Sequence, residues 1–448
     1  MTRTPLPGLI IAAPRSGAGK TTVSLGLMRA LGKGQSTVQP FKCGPDYIDG
    51  AFHEAASGRK CFNLDTWSMS RERIFRLVST AGRGADIGVA EGVMGLFDGA
   101  ARQGRAGHGS TADLAALLGW PVVLIIDVSG QAETAAAIAL GCARFRDDIE
   151  IAGVILNRVA SERHRALLEP AFARIGIGVL GALPREEWLT LPARHLGLVQ
   201  AREMIDIGGR IDAIADSVAK GVDLGAILSA AKPLAATGGH DVGSCEGLRP
   251  PGQRIALACD DAFSFMYPHM LQLWRQAGAE IVGFSPLAHE PPDGSADAIW
   301  LPGGYPELHA GRLALADRFF SGLRAAAARG TPVHGECGGY MVLGSGIVDA
   351  TGTRHAMAGL LSLETSFAAR RLNLGYRRAR LLADSSLGRA NDIVLGHEFH
   401  YASTLAMHDA PLVACSDASG TTLDERGARR GSVSGTFFHA IDSEKLRP

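Results

Sequence analysis

Apolar positions along the chain form two stretches in which short continuous runs alternate with helical repeats, separated by a segment where neither pattern holds. The run over residues 8–13 stops at a loop containing Pro and Gly, and Val23, Leu27, Ala30 and Leu31 then recur at helical spacing across residues 21–31. This predicts strand, loop and helix in that order. Further buried strands are expected at 87–90, 122–126 and 152–156, with helices at 113–118 and 132–142. Alternation of this kind builds a parallel sheet covered by helices on both faces.

Between about residues 229 and 253 the periodicity fails, and small or turn-forming residues take over through Gly238, Gly239, Gly243, Gly247, Pro250 and Pro251. Regular patterning resumes with strands expected at 255–259, 281–284, 298–301 and 332–335 and helices at 267–277 and 313–328. The expected organisation is therefore an α/β domain over 1–230, a linker over 231–253 and a second α/β domain over 254–448.

Composition narrows the function. Lys plus Arg equals Asp plus Glu at 45 each, so no overall field favours nucleic acid or an anionic membrane, and a small-molecule substrate fits better. Seven cysteines, widely spread and without a C-x-x-C pair, argue against a disulfide framework or structural zinc and for a reducing cytoplasm. No apolar run approaches the roughly 18 residues of a membrane span.

Two stretches carry chemistry. Residues 13–22 read APRSGAGKTT, at the boundary between an expected strand and an expected helix. Main-chain N–H groups of such a loop cradle phosphates, so Arg15, Ser16, Gly17, Ala18, Gly19, Lys20, Thr21 and Thr22 form the candidate ATP site, with Lys20 on the outer phosphates and the Thr21 hydroxyl on Mg²⁺. The usual pattern has glycine where Pro14 stands, and Arg15 brings an additional cation. Acidic residues follow at later strand ends, where ligands of open α/β sheets gather. Asp46 and Glu91 are the candidate oxygen ligands completing a Mg²⁺ shell with Thr21, while Asp49 and Asp98 lie further towards substrate.

The second stretch is VHGECGGY, residues 333–340, which places Cys337 between a short strand and glycines that allow a sharp turn into a helix. Such an elbow projects a nucleophile, and the N–H groups that follow it are expected to lower the thiol pKa and to bind an oxyanion. Gly303 and Gly304 of LPGGYPE, with Gly338, are the candidate oxyanion donors, and His439 of GTFFHAI is the candidate base.

Together APRSGAGKTT, GPDYID (44–49), NLDTW (63–67), EGVMGLFDG (91–99), PGGYPE (302–307), ECGGYM (336–341) and GHEFHY (396–401) resemble the cobyrinate and hydrogenobyrinate a,c-diamide synthase family across nearly the whole chain. The resemblance implies a P-loop domain like that of dethiobiotin synthetase followed by a class I glutamine amidotransferase domain. It also implies conversion of the a and c acetate side chains of hydrogenobyrinate or cobyrinate into amides during cobalamin biosynthesis, with ATP, Mg²⁺ and glutamine. A homodimer is the candidate assembly. By the same resemblance Asp49 and Asp98 handle the carboxylate or ammonia. Class I glutaminases usually carry a Glu two residues after the base, where this chain has Ile441. Two rivals are a cobyric acid synthase or other tetrapyrrole amidotransferase, and a P-loop partitioning ATPase, a class with no use for a Cys–His half.

Overall fold

The computed structural model describes residues 5–186, 193–194, 197–198, 203–204, 206–236 and 247–444. They fall into two compact units, Met1–Cys245 and Glu246–Pro448. Of the segment expected as a linker, Gly238, Gly239 and Gly243 lie outside the described residues.

In the first unit seven parallel strands, β1 (Pro7–Ala12), β2 (Val38–Cys43), β3 (Phe62–Leu64), β4 (Ile87–Glu91), β5 (Val122–Asp127), β6 (Ile151–Val159) and β7 (Val179–Pro184), stand in the order β3-β2-β4-β1-β5-β6-β7. Strand β1 is central and wholly apolar from Leu9 to Ala12, as a strand covered on both faces must be. Helix α1 (Lys20–Lys33) leaves its carboxyl end and buries Val23, Leu27, Met28 and Leu31. A Cβ on Gly26 would stand 2.6 Å from Val218 of the helix Ile207–Gly221, so glycine lets these two helices pack closely. The first residues of the expected linker are part of this unit: Lys232–Pro233 pairs antiparallel with Pro7 and Gly8.

Among the described residues the second unit holds three sheets, one of them a small four-stranded sheet of Arg354–Ala356, Gly346–Val348, Glu364–Ser366 and Ser403–Ala406, and the other two carry the site. Strands β8 (Arg254–Ala258), β9 (Glu280–Phe284), β10 (Ala298–Leu301) and β11 (Val333–Glu336) come first in the chain. Strands β12 (Asn373–Leu381), β13 (Ile393–His400), β14 (Val413–Asp417), β15 (Ala428–Arg430), β16 (Val433–Thr436) and β17 (His439–Glu444) follow. One sheet runs β9-β8-β10-β11-β16-β15, parallel except for β15, and the other is antiparallel in the order β14-β12-β13-β17. The helix expected over 313–328 is two helices, Ala310–Ala314 and Asp317–Ala328, broken at Leu315 and Ala316. Alanine-rich sequence hid the break, because Ala316 is buried and continues the helical repeat.

Candidate functional site

Each unit gathers its reactive side chains where strand ends meet turns. In the first, Gly17 and Gly19 adopt φ of +76° and +97°, which bend the loop after β1 back over the start of α1. The loop is tied to the far side of the sheet: Asn157 at the end of β6 donates Nδ2 to the Ala18 carbonyl at 2.8 Å. Arg15 pairs with Asp127 at the end of β5 at 2.8 Å, and Arg158 holds the same carboxylate at 2.7 Å.

Past the loop, Lys20 donates to the Met94 carbonyl at 2.5 Å, and the Thr21 hydroxyl donates to Glu91 Oε1 at 2.7 Å. Glu91 closes β4 and is the hub of a buried ion cluster. Lys42 Nζ lies 2.9 Å from Glu91 Oε1 and 2.6 Å from Asp49 Oδ2, and His53 Nε2 lies 2.5 Å from Glu91 Oε2. Asp46 stands at the edge, 3.9 Å from Lys42, and its Oδ1 accepts the N–H groups of Ile48 and Asp49 at the start of the helix Asp49–Ser57. Lys42, His53 and Glu91 are at most 3% exposed, so their charges persist only because they compensate one another.

Protonation follows from that compensation. Burial works against the charged form of Glu91, yet Lys42 and His53 outweigh it and hold the carboxyl well below its usual range. Burial likewise opposes the His53 imidazolium, and the Glu91 carboxylate overcomes it, raising His53 to about 10. Asp49 is pushed up to about 7, first by burial and then by Asp46. Lys20 is lowered, chiefly by burial. Asp98, expected nearer the substrate, accepts the Gly95 N–H at 2.8 Å, in the turn whose Gly95 would press a Cβ 2.7 Å from the Pro14 carbonyl.

In the second unit Cys337 links β11 to the helix Gly338–Leu343 with φ +46° and ψ −108°, a conformation unfavourable for any residue but glycine. Its N–H donates to the Thr436 carbonyl at 2.7 Å. The glycines around it permit backbone contact: a Cβ on Gly339 would stand 2.0 Å from the Leu301 carbonyl, and one on Gly338 would stand 3.1 Å from the Gly304 N. A Cβ on Gly303 would lie 2.2 Å from His439 Cε1, 2.9 Å from its Nε2 and 3.2 Å from Cys337 Cβ. The loop after β10, the elbow and the start of β17 therefore bring Gly303, Gly304, Gly338, Cys337 and His439 together.

The expected lowering of the thiol pKa is reversed. Burial, then Glu307, pushes Cys337 up, and the Gly338 N–H, which pulls the other way, is outweighed. The helix behind it has six residues, too short for a strong dipole. Burial, then His397 and His400, lowers His439 to about 3, so thiol and imidazole are both neutral near pH 7.

Three further side-chain groups gave no signal in sequence because their partners are far along the chain. Asn157 and Asp127 reach the nucleotide loop from neighbouring strands, Arg158 holds Asp127 in place, and His53 looks like an ordinary helix residue. Glu336 accepts the Ala440 N–H at 2.8 Å and stands 3.9 Å from His439 Nδ1. The GHEFHY motif lies on β13 directly beside β17. His397 pairs with His439 across the ladder, and Gly396 lets the strands approach, since a Cβ there would meet the His439 carbonyl at 2.3 Å. Glu398 of the motif binds Arg377 at 2.6 Å and His400 at 2.8 Å, and the His400 ring stacks on Phe437 at 4.4 Å.

Residues 9–199 match the CobQ/CobB/MinD/ParA nucleotide binding domain and residues 254–445 match the CobB/CobQ-like glutamine amidotransferase domain. The chain is thus a glutamine amidotransferase with a nucleotide-binding domain. It is 56% identical to the hydrogenobyrinate a,c-diamide synthase of Rhodobacter capsulatus over 97% of this chain and 98% of that one. It is 53% identical to the enzyme of the same name from Mesorhizobium japonicum, and 51% identical to that from Agrobacterium fabrum, in both cases over 97% of this chain and 98% of the other. The chain belongs to the hydrogenobyrinate a,c-diamide synthase family.

Proposed function

We propose that this enzyme converts the a and c acetate side chains of hydrogenobyrinate into amides, using ATP to activate each carboxylate and glutamine as the nitrogen source. The identity to hydrogenobyrinate a,c-diamide synthases along 97% of the chain carries this reading over cobyrinate or the side chains that cobyric acid synthase amidates. The glutamine amidotransferase match over 254–445 speaks against a partitioning ATPase.

In this reading the loop from Arg15 to Thr22 holds the triphosphate, with Lys20 and Arg15 as its cations. A substrate carboxylate attacks the γ-phosphorus, and the bond to the β-bridging oxygen breaks to give an acyl phosphate and ADP. Little covalent work falls to the protein in such a transfer, so positioning and charge neutralisation are its task. Thr21, Glu91 and Asp46 offer the hard oxygen donors that suit Mg²⁺, and the ion, when bound, neutralises phosphate charge. Ammonia then displaces phosphate. Asp49, raised to about 7, is matched to take the proton that the attacking nitrogen sheds, and Asp98 faces the substrate carboxylate.

In the second unit, the Cys337 thiol gives its proton to His439 and attacks the glutamine carboxamide, with the Gly303, Gly304 and Gly338 main chain receiving the oxyanion. Ammonia leaves with that proton, and water frees glutamate from the thioester. Balanced charge and the absence, among the described residues, of a helix long and apolar enough to cross a membrane fit an enzyme of small molecules in the cytoplasm.

The deciding experiment supplies ATP, Mg²⁺ and glutamine with hydrogenobyrinate and, separately, cobyrinate, and follows product mass. Two amides gained on hydrogenobyrinate support the reading. A gain on cobyrinate alone, or amidation by Cys337→Ser with glutamine as sole nitrogen source, sinks it.

A further inference from the structure

We infer that Glu336 is the residue that orients His439 for the thiol, so that the glutaminase works as a Cys–His–Glu chain whose carboxylate immediately precedes the nucleophile. The inference rests on Cys337 and His439 acting as proposed above. Its basis is the way the imidazole is placed. The Cε1–Nε2 edge of His439 faces Gly303, where an added Cβ would also stand 3.2 Å from Cys337 Cβ, while Nδ1 lies 3.9 Å from Glu336 Oε2. The carboxylate thus stands on the Nδ1 side of the ring, and the Nε2 edge is turned to the loop that also approaches the nucleophile.

Glu336 is held for this purpose. It ends β11 with 1% exposure, and its other oxygen accepts the N–H of Ala440, the residue next to His439, at 2.8 Å. One carboxylate thus grips the backbone of β17 and addresses the side chain that this backbone carries. A buried carboxylate is costly to keep, and an apolar residue of similar volume would pack there more cheaply unless the charge is used. Position 441, by contrast, is the buried Ile441, whose carbonyl accepts from His269 at 2.9 Å.

The charged and titratable groups facing His439 are Glu336 from β11 and His397, Glu398 and His400 from β13, beside Cys337 itself. Both histidines disfavour an imidazolium, the Phe265 backbone and Glu398 favour it, and an ionised Glu336 beside Nδ1 adds to that support when the thiol proton arrives. One proton moves in two transfers, from Cys337 Sγ to His439 Nε2 and then to the departing ammonia. Glu336, in its ionised form, keeps its own protonation state throughout. Burial raises Glu336 to about 8, so the competent form gains population through that pH.

The full-length enzyme and its Glu336→Gln variant, which keeps the shape and the Ala440 contact, are compared in glutamine hydrolysis across pH 6 to 10. Inactivation by a diazoketone analogue of glutamine is followed in parallel. Glu336→Gln is expected to lower kcat by roughly 100-fold with KM little changed. The rise in the wild-type profiles through about pH 8 should be absent from this variant, because the carboxyl that ionises there is gone. A wild-type kcat with an unchanged pH profile overturns the inference. If Glu336→Gln fails to melt cooperatively, Glu336→Asp decides: a reduced rate with the alkaline rise retained supports the role, and a wild-type rate overturns it, since the shorter acid cannot address both contacts. Cys337→Ala in the same assay separates the two layers, for hydrolysis by that variant would refute the glutaminase reading itself.

Discussion

A Cβ placed on Gly303 would stand 2.2 Å from Cε1 of His439, closer than side-chain carbon atoms approach one another. Gly303→Ala must therefore push the imidazole away from the thiol or move the loop after β10. A displacement near 1 Å costs about 100-fold in rate. Glutamate release by this variant is expected to fall by roughly that factor, and near wild-type release would show that the ring does not use this position.

The nucleotide loop depends on a comparable glycine. Gly19 has φ +97°, and a Cβ there would lie 2.2 Å from Asn157 Nδ2. Gly19→Ala is expected to abolish ATP binding measured by calorimetry. Asn157→Ala removes the hydrogen bond to the Ala18 carbonyl, together with the one its Oδ1 accepts from the Arg158 N–H, so a loss of affinity of roughly 10-fold is expected.

Lys20 is predicted to serve amide formation and not glutamine hydrolysis. Removing one preorganised charge donor from a phosphoryl-transfer site costs on the order of 100- to 1,000-fold. Lys20→Met should lower product amidation by that factor whether glutamine or ammonium supplies nitrogen. Restoration by ammonium would contradict the assignment.

The buried cluster around Glu91 predicts an alkaline loss of stability. His53 is raised from 6.5 to about 10 in the folded chain, so its contribution is complete below about pH 6.5 and disappears as pH rises through about 10. Glu91 has the opposite sign: its pKa is depressed, and its contribution fades only as acid protonates it. Scanning calorimetry between pH 6.5 and 10 should show the melting temperature of the first unit falling, with a shallower fall in His53→Gln. Equal slopes would mean that His53 is not charged in the fold.

What could be read from the chain beforehand was local. The run after residue 8, the loop ending in Lys20 and Thr21 and the elbow at Cys337 each join a strand to a helix within about ten residues, and short apolar runs mark them. Strand β2 went unread because Gln39, Pro40 and Lys42 interrupt its apolar pattern, although every residue of the strand is buried. Lys42 occupies that interior only because Asp49 and Glu91, from other elements, neutralise it. The antiparallel sheet from β12 to β17 was missed for a related reason: its positions alternate between faces and carry Arg, His and Glu inwards to one another. Glu336 was visible as a letter beside the nucleophile, but its partners Ala440 and His439 lie about a hundred residues later.

Cys337 sits at φ +46°, where most side chains cost about 1–3 kcal/mol of backbone strain. Residue 337 is thus a frustrated point: the surrounding strands over-determine a shape that the residue itself resists. A Cys337→Gly chain, chemically dead, is expected to melt a few degrees higher than the native one. Durability and reactivity pull in opposite directions at this bend, and only the need for sulfur keeps glycine out of it.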